Sequence, residues 1–194
     1  MIVGWVRNRR ENFVESPKPI LLLGDSVLNN SIYVPPGTSV LDQLRQMAPQ
    51  YTWIQKATDG ATLQDTLQQV NQCPEQELGA IVLSAGGNDL LIYRQITSPM
   101  RTEWTQLVHR IREKYPQVPL FACNVYCPVE QTAVSCAAVI QQWNEWTHNQ
   151  DKDTQVIDLN SILTNKTDFV RQIEPSQTGG TLIARAIKDA VLNI

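Results

Sequence analysis

The sequence predicts a three-layer α/β/α fold built on a doubly wound, flavodoxin-like parallel sheet of five strands. Three observations predict it. Short apolar runs alternate with segments of helical periodicity from residue 20 to the end. The run Ala80-Ile-Val-Leu-Ser84 is continuous in apolar character rather than alternating, as in a strand covered on both faces. Glycine-containing polar turns follow three of the strands, at the sheet edge where open α/β folds keep their ligand crevices.

Each element has a local reason. Ser16-Pro17-Lys18-Pro19 breaks any helix and leads into the first strand, Ile20 to Leu23, which Gly24 ends in a turn. A polar loop at Asn29-Asn30-Ser31 and a second breaker at Pro35-Pro36-Gly37 come next. Thr38 or Ser39 caps a helix running to Met47, whose Val40, Leu41, Leu44 and Met47 share one face. Tyr51 to Ala57 alternates and is rich in aromatic and β-branched residues, so it reads as the second strand. Thr62 opens a helix with Leu63, Leu67 and Val70 at helical spacing, and Pro74 stops it. The third strand, Ala80 to Ser84, runs into Gly86-Gly87-Asn88-Asp89. A helix from about Arg101 to Lys114, a fourth strand from Val118 to Val125, a helix over 131–147 and a fifth strand from Thr154 to Leu159 continue the alternation. The last helix runs from Gln177 to the terminus.

The chain of 194 residues suits one domain, here 17–194, preceded by a mixed-charge extension over 1–16. A net charge of −3 supplies no broad basic field, so nucleic acid is not an expected partner. No run reaches the roughly 20 apolar residues that cross a bilayer, and the first residues have the wrong order for a secretory signal. The expectation is a cytoplasmic protein without a membrane partner. Of Cys73, Cys123, Cys127 and Cys136, three sit in apolar stretches where a thiol is commonly a small core residue, and with only two histidines in the chain, neither near Cys123 and Cys127 in sequence, no metal site is expected. The five tryptophans read as packing residues rather than a sugar platform. Oligomeric state leaves no trace in the sequence.

Three strand ends carry polar turns: Gly24-Asp25-Ser26, Asp59-Gly60-Ala61 and Gly86-Gly87-Asn88-Asp89. In a doubly wound sheet they converge, bringing a hydroxyl, a glycine amide and a carboxamide into one crevice. Those groups suffice for acyl transfer: Ser26 attacks a carbonyl, and the Gly60 N–H and Asn88 amide meet the developing oxyanion. Asp25 reads first as an Asx-turn acceptor and, with Asn29, Asn30 and Asp89, as a residue that lines the crevice.

From about Pro19 onward the sequence resembles the SGNH, or GDSL-type, hydrolases, a family of esterases, lipases and acetyl-transfer enzymes. Gly24-Asp25-Ser26 matches the family's first block, Gly60 its second, and Gly86-x-Asn88-Asp89 its third. The resemblance implies that Ser26 is the nucleophile and that its own N–H, Gly60 and Asn88 form the oxyanion hole. The fourth block departs. Where the family has Asp-x-x-His-Pro-Ser, this chain reads Arg171-Gln172-Ile173-Glu174-Pro175-Ser176, so Arg171 stands for the Asp and Glu174 for the His.

His109, in a charged helix, and His148, near a helix end on the far rim, do not restore the missing base. Glu174 is then the candidate base if burial raises its basicity; Asp168 and Asp89 are alternatives, and a nearby Arg171 would work against it, or form a salt bridge that only fixes the loop. The expected activity is hydrolysis of a small acetyl or short-acyl ester, without a metal or organic cofactor. The alternative is a degenerate member kept for ligand binding or assembly. A nucleotide-binding protein of flavodoxin type is disfavoured, because no Gly-rich phosphate loop follows the first strand.

Overall fold

A computed structural model describes residues 16–128 and 136–192. The predicted extension over 1–16, all but its last residue, and the 131–135 part of the predicted fourth helix lie outside the described residues. Five parallel strands form the sheet: β1 (Ile20–Gly24), β2 (Trp53–Gln55), β3 (Ala80–Ser84), β4 (Leu120–Cys123) and β5 (Gln155–Ile157), in the order β2-β1-β3-β4-β5. Strand order reverses at β1 and β3, which pair from Ile20↔Ala80 to Gly24↔Ser84.

The strand pleat divides the core in two. Ile20 and Leu22 face one side, against Val40 and Leu44 of α1 (Val40–Met47) and Ile183, Ala184 and Ile187 of α7 (Gln177–Leu192). Leu21 and Leu23 face the other, against α2 (Leu63–Gln72), α4 (Ser98–Lys114) and α5 (Ala137–Gln150). Each fully buried aliphatic side chain contributes roughly 1.5–3 kcal/mol. Continuous apolar strands are therefore what a two-sided sheet requires.

The helix starts are set by their caps. Ser39 with Asp42, and Thr62 with Asp65, form capping boxes, each side-chain oxygen meeting an otherwise unpaired N–H. The helix predicted from Arg101 begins three residues earlier, at Ser98, because Thr97 caps it and Pro99 occupies the first turn, where no N–H is needed. The segment read as a turn at Gly86–Asp89 instead opens a short helix, α3 (Gly87–Tyr93). β2 and β5 are shorter than predicted, since each lies at a sheet edge and pairs on one side only.

Besides α3 and a 3-10 turn at Lys166–Asp168, two elements were not predicted. A short helix, α6 (Leu159–Ile162), comes after β5, and an antiparallel hairpin of β6 (Phe169–Val170) and β7 (Glu174–Pro175) precedes α7. Neither has a periodic signature, because each is too short to show one. Among the described residues no helix is long and apolar enough to cross a membrane.

The junction after β1 is held tightly. Gly24 has φ +125°, and a Cβ there would lie 1.8 Å from the Ser84 carbonyl oxygen. Gln69 of α2 accepts from the Gly24 N–H and donates to its carbonyl, both at 2.8 Å. Gln69→Ala would leave the buried Gly24 N–H unpaired, at about 1–3 kcal/mol, while the carbonyl keeps the Thr58 N–H at 2.9 Å. The expected result is a loss of roughly 1–3 kcal/mol, read as a fall in the urea midpoint at unchanged slope.

Candidate active site

Ser26 sits at the carboxyl end of β1, in a turn closed by the Leu28 and Asn29 N–H groups donating to the Asp25 carbonyl at 3.2 and 3.1 Å. Its side chain lines a cleft at the switch between β1 and β3, together with Asn88 at the start of α3 and Glu174 of β7. Much of the remaining wall is apolar, with Leu90, Val125, Tyr126, Ile140 and Ile173 prominent. Leu91, Ile92 and Tyr93 are exposed, and Leu91 belongs to the cleft's rim.

Asn88 is oriented by donating through Nδ2 to the Ala61 carbonyl at 2.9 Å. That bond leaves its second amide hydrogen for a ligand. Gly60, one residue before Ala61, is exposed with φ +73° and is not itself part of the cleft wall. The three turns thus meet, the second through Ala61.

Asp25 is 3% exposed and accepts at one carboxylate oxygen from the Ser84 hydroxyl (2.8 Å) and the Val27 N–H (3.1 Å). The second bond is the expected Asx turn. Burial pushes its carboxyl up to about 7; the Ser84 and Val27 bonds oppose this, and the nearby Glu174 charge adds to it.

Glu174 reaches the cleft because the hairpin carries it there. Arg171 and Gln172, in the loop between β6 and β7, have φ +47° and +76°, left-handed backbone that costs about 1–2 kcal/mol per non-glycine residue. The hairpin is tied down by Tyr126 Oη, which donates to the Ile173 carbonyl at 2.6 Å, and by Asn30, which donates to the Pro175 carbonyl at 3.2 Å. Burial raises the Glu174 carboxyl above the ordinary range; interaction with the Ser26 hydroxyl pulls it down, Asp59 raises it, and Arg171 lowers it least. Glu174 Oε2 is buried with no hydrogen-bond partner.

Several expectations need correction. Asn30 does not face the crevice: it is fully buried, its oxygen accepting from the Val40 N–H (2.9 Å) and its amide holding Pro175. Asp89 is 2% exposed and spends its carboxylate on the Leu63 N–H (3.0 Å), joining α3 to the start of α2. Asn29 is half-buried, donates to the Ala57 carbonyl and lies outside the cleft wall. Asp168, an alternative base, is buried beneath the hairpin, capping the 3-10 turn at Lys166–Asp168 through the Asn165 N–H. Arg171 makes no salt bridge to Glu174; its guanidinium lies 5.2 Å from the Tyr33 ring centroid. His109 and His148 are exposed, and neither lines the cleft.

Sequence reasoning missed three supporting residues: Gln69, Ser84 and Tyr126. Gln69 carried a usable signal, a polar residue on the buried face of an amphipathic helix beside Val70. Ser84, ending a buried strand, and Tyr126, just past one, carried none.

A GDSL-like lipase/acylhydrolase family model matches residues 22–179, a span that includes all three turns and the hairpin. The chain belongs to this family. Solved structures share its fold at low identity. A lipolytic G-D-S-L family protein from Veillonella parvula superposes with a TM-score of 0.69 at 16% identity, covering 91% of this chain and 99% of the other. The psychrotrophic esterase EstA of a Pseudoalteromonas species, in a structure inhibited by monoethylphosphonate, gives 0.72 at 17%, covering 91% and 97%. A family 3 carbohydrate esterase from Clostridium thermocellum gives 0.67 at 19%, covering 91% and 98%. No curated protein matches the sequence.

Within this GDSL-family cleft the Asp25 carboxyl sets a pH dependence of stability. Its folded-state value lies above the unfolded one of about 4, so the folded protein keeps a proton that the unfolded chain releases, and stability falls as pH rises from about 4 to about 7. Asp25→Asn preserves shape and the accepting oxygen but carries no such proton. The expected outcome is a variant more stable than wild type at pH 8, by at most about 4 kcal/mol, and without that gain at pH 4. Urea denaturation at the two pH values checks it.

Proposed function

We propose that this protein is a serine esterase acting on small acetyl or short-acyl esters, with Ser26 as nucleophile and Glu174 as its base. The observation that carries this reading is the Glu174 carboxylate: its Oε2 is buried and unpartnered in the cleft that Ser26 and Asn88 also line. A carboxylate left without donors is a stronger proton acceptor than one that is solvated or ion-paired.

In this mechanism Glu174 takes the Ser26 proton as Oγ attacks the ester carbonyl. The oxyanion is met by the Asn88 amide and by the backbone N–H of Ser26, each well-aimed donor contributing roughly 3 kcal/mol. Protonated Glu174 then gives its proton to the departing alkoxide, and water hydrolyses the acyl-serine with Glu174 again as base. The apolar wall suits an acyl group, and family membership and the fold shared with two esterases support ester chemistry. No partner beyond a small ester substrate is required.

A second reading, a ligand-binding member without turnover, draws on one observation: among the described residues no imidazole lines the cleft. Hydrolysis of p-nitrophenyl acetate separates the two. Ser26→Ala is expected to lower kcat/KM at least about 1000-fold, and Glu174→Gln roughly 100-fold or more, with fluorophosphonate labelling of wild type confined to Ser26. A wild type no faster than Ser26→Ala between about pH 5 and 9 would support the binding reading instead. Because Glu174 must be ionised and burial raises its carboxyl, activity should fall on acidification at a pH above the ordinary carboxylate range.

A further inference from the structure

Ser26 has a second carboxyl beside it that the proposed mechanism does not use. Asp25 is nearly as buried as the sheet core, and the two donors that reach it from other residues, the Ser84 hydroxyl and the Val27 N–H, are neutral. Both act on the same oxygen, Oδ1. The other oxygen, Oδ2, receives neither; it lies 3.8 Å from where a Gly87 Cβ would stand, on the wall of the cleft that Ser26 and Glu174 share. Among the described residues Asp25 has no ion-pair partner.

Among the described residues, the groups that act on it include no cation. Glu174 faces it from the hairpin and carries the same sign of charge. Cys123 at the end of β4 and Tyr126 just beyond are both buried and held far above their ordinary values, so they stay neutral. Arg94 belongs to the cleft wall at the exposed end of α3, Asp59 and Arg171 act on Glu174, and Tyr33 donates its hydroxyl to Asp59. A buried carboxylate with no cation beside it keeps its proton.

Resting on the esterase reading above, we propose that Asp25 is a positioning residue that works as an uncharged carboxylic acid, leaving Glu174 the only anion beside Ser26 among the described residues, and that its ionisation shuts the site. The reason is charge. Attack by Ser26 creates an oxyanion, and a second fixed carboxylate one residue from the nucleophile would repel it in a desolvated cleft. With Asp25 protonated, the site carries one negative charge before attack, and that charge moves to the oxyanion as Glu174 takes the proton. With Asp25 ionised, the transition state holds two. Burial brings its proton loss to about pH 7, so the closing step falls within a biological range. A serine esterase with an imidazole base gains activity on passing through neutrality; this one loses it.

The test combines a rate profile with a titration that needs no turnover. For wild type, kcat/KM for p-nitrophenyl acetate, corrected for spontaneous hydrolysis, should rise on the acid side, peak below neutrality and fall at least about tenfold by about pH 9. Asp25→Asn should keep the acid limb and lose the alkaline one, varying less than about threefold between about pH 6.5 and 9. In parallel, carbon-13 carboxyl resonances of labelled aspartate in Ser26→Ala protein, with Asp25→Asn for assignment, should show Asp25 titrating near pH 7. A normal titration near about pH 4, a wild-type plateau through about pH 9, or an unchanged alkaline limb in Asp25→Asn overturns the proposal while leaving the esterase intact. Absence of turnover in every variant, with Asp25 titrating near neutrality, overturns the esterase reading and leaves the uncharged carboxyl standing.

Discussion

The structure depends on one close approach, that of Gly24 to the carbonyl of Ser84. The two residues are partners in register at the ends of neighbouring parallel strands, and any side chain on Gly24 would overlap that carbonyl. The left-handed φ at Gly24 turns the chain away from the sheet at this point and lifts Ser26 to its edge. Ser84 also anchors the turn beyond Gly24, because its hydroxyl donates to Asp25. Gln69 holds Gly24 from α2, and through Thr58 reaches the next turn as well. The position of the candidate nucleophile is thus fixed by backbone and buried side chains and owes little to surface loops.

The candidate base is fixed by a different device. A polypeptide entering α7 directly from β5 would have no reason to pass over the β1 turn. The hairpin brings it there, and three ties keep it: Tyr126 to Ile173, Asn30 to Pro175, and the Ser176 hydroxyl to the Thr167 carbonyl at 2.7 Å. Gly179 lets the first turn of α7 close against Asp168, whose carbonyl would lie 2.1 Å from a Cβ there. Such packing compensates for the two left-handed residues at 171 and 172. Strain of this kind persists only where surrounding contacts determine it.

The fold was legible because its evidence is periodic. Strand runs, helical faces and caps such as Thr62 repeat a local rule many times, and the parallel sheet is the consequence of their alternation. Ser26 and Asn88 were legible as parts of one site because a sheet edge gathers strand ends whatever the loops do; Glu174 was legible only through the resemblance of the fourth block. Asn30 and Asp89 were misread for the opposite reason. A polar residue after a strand looks the same in sequence whether it faces a ligand or pairs with a helix N–H across the fold. Their partners, Val40 with Pro175 and Leu63, are backbone groups, which carry no sequence signature. The short hairpin escaped notice because four paired residues offer no period to detect.

Arg171 shows how the same fourth block can be read in two ways. By sequence it stands three residues before Glu174 and threatens to hold that carboxylate ionised and weakly basic. The left-handed conformation at 171 turns the side chain outward, where the guanidinium settles over Tyr33, and its effect on Glu174 becomes the smallest of the four that act there. Burial, the largest, then prevails. A histidine base needs an aspartate partner because imidazolium is a cation that must be oriented and stabilised. A carboxylate base becomes neutral on taking the proton, so it needs no counter-ion, only the exclusion of cations that would weaken it. On the esterase reading, replacing the acid–imidazole pair by an outward-turned arginine and a buried glutamate keeps one physical requirement satisfied: the carboxyl proposed as base has an oxygen, Oε2, left without a hydrogen-bond donor.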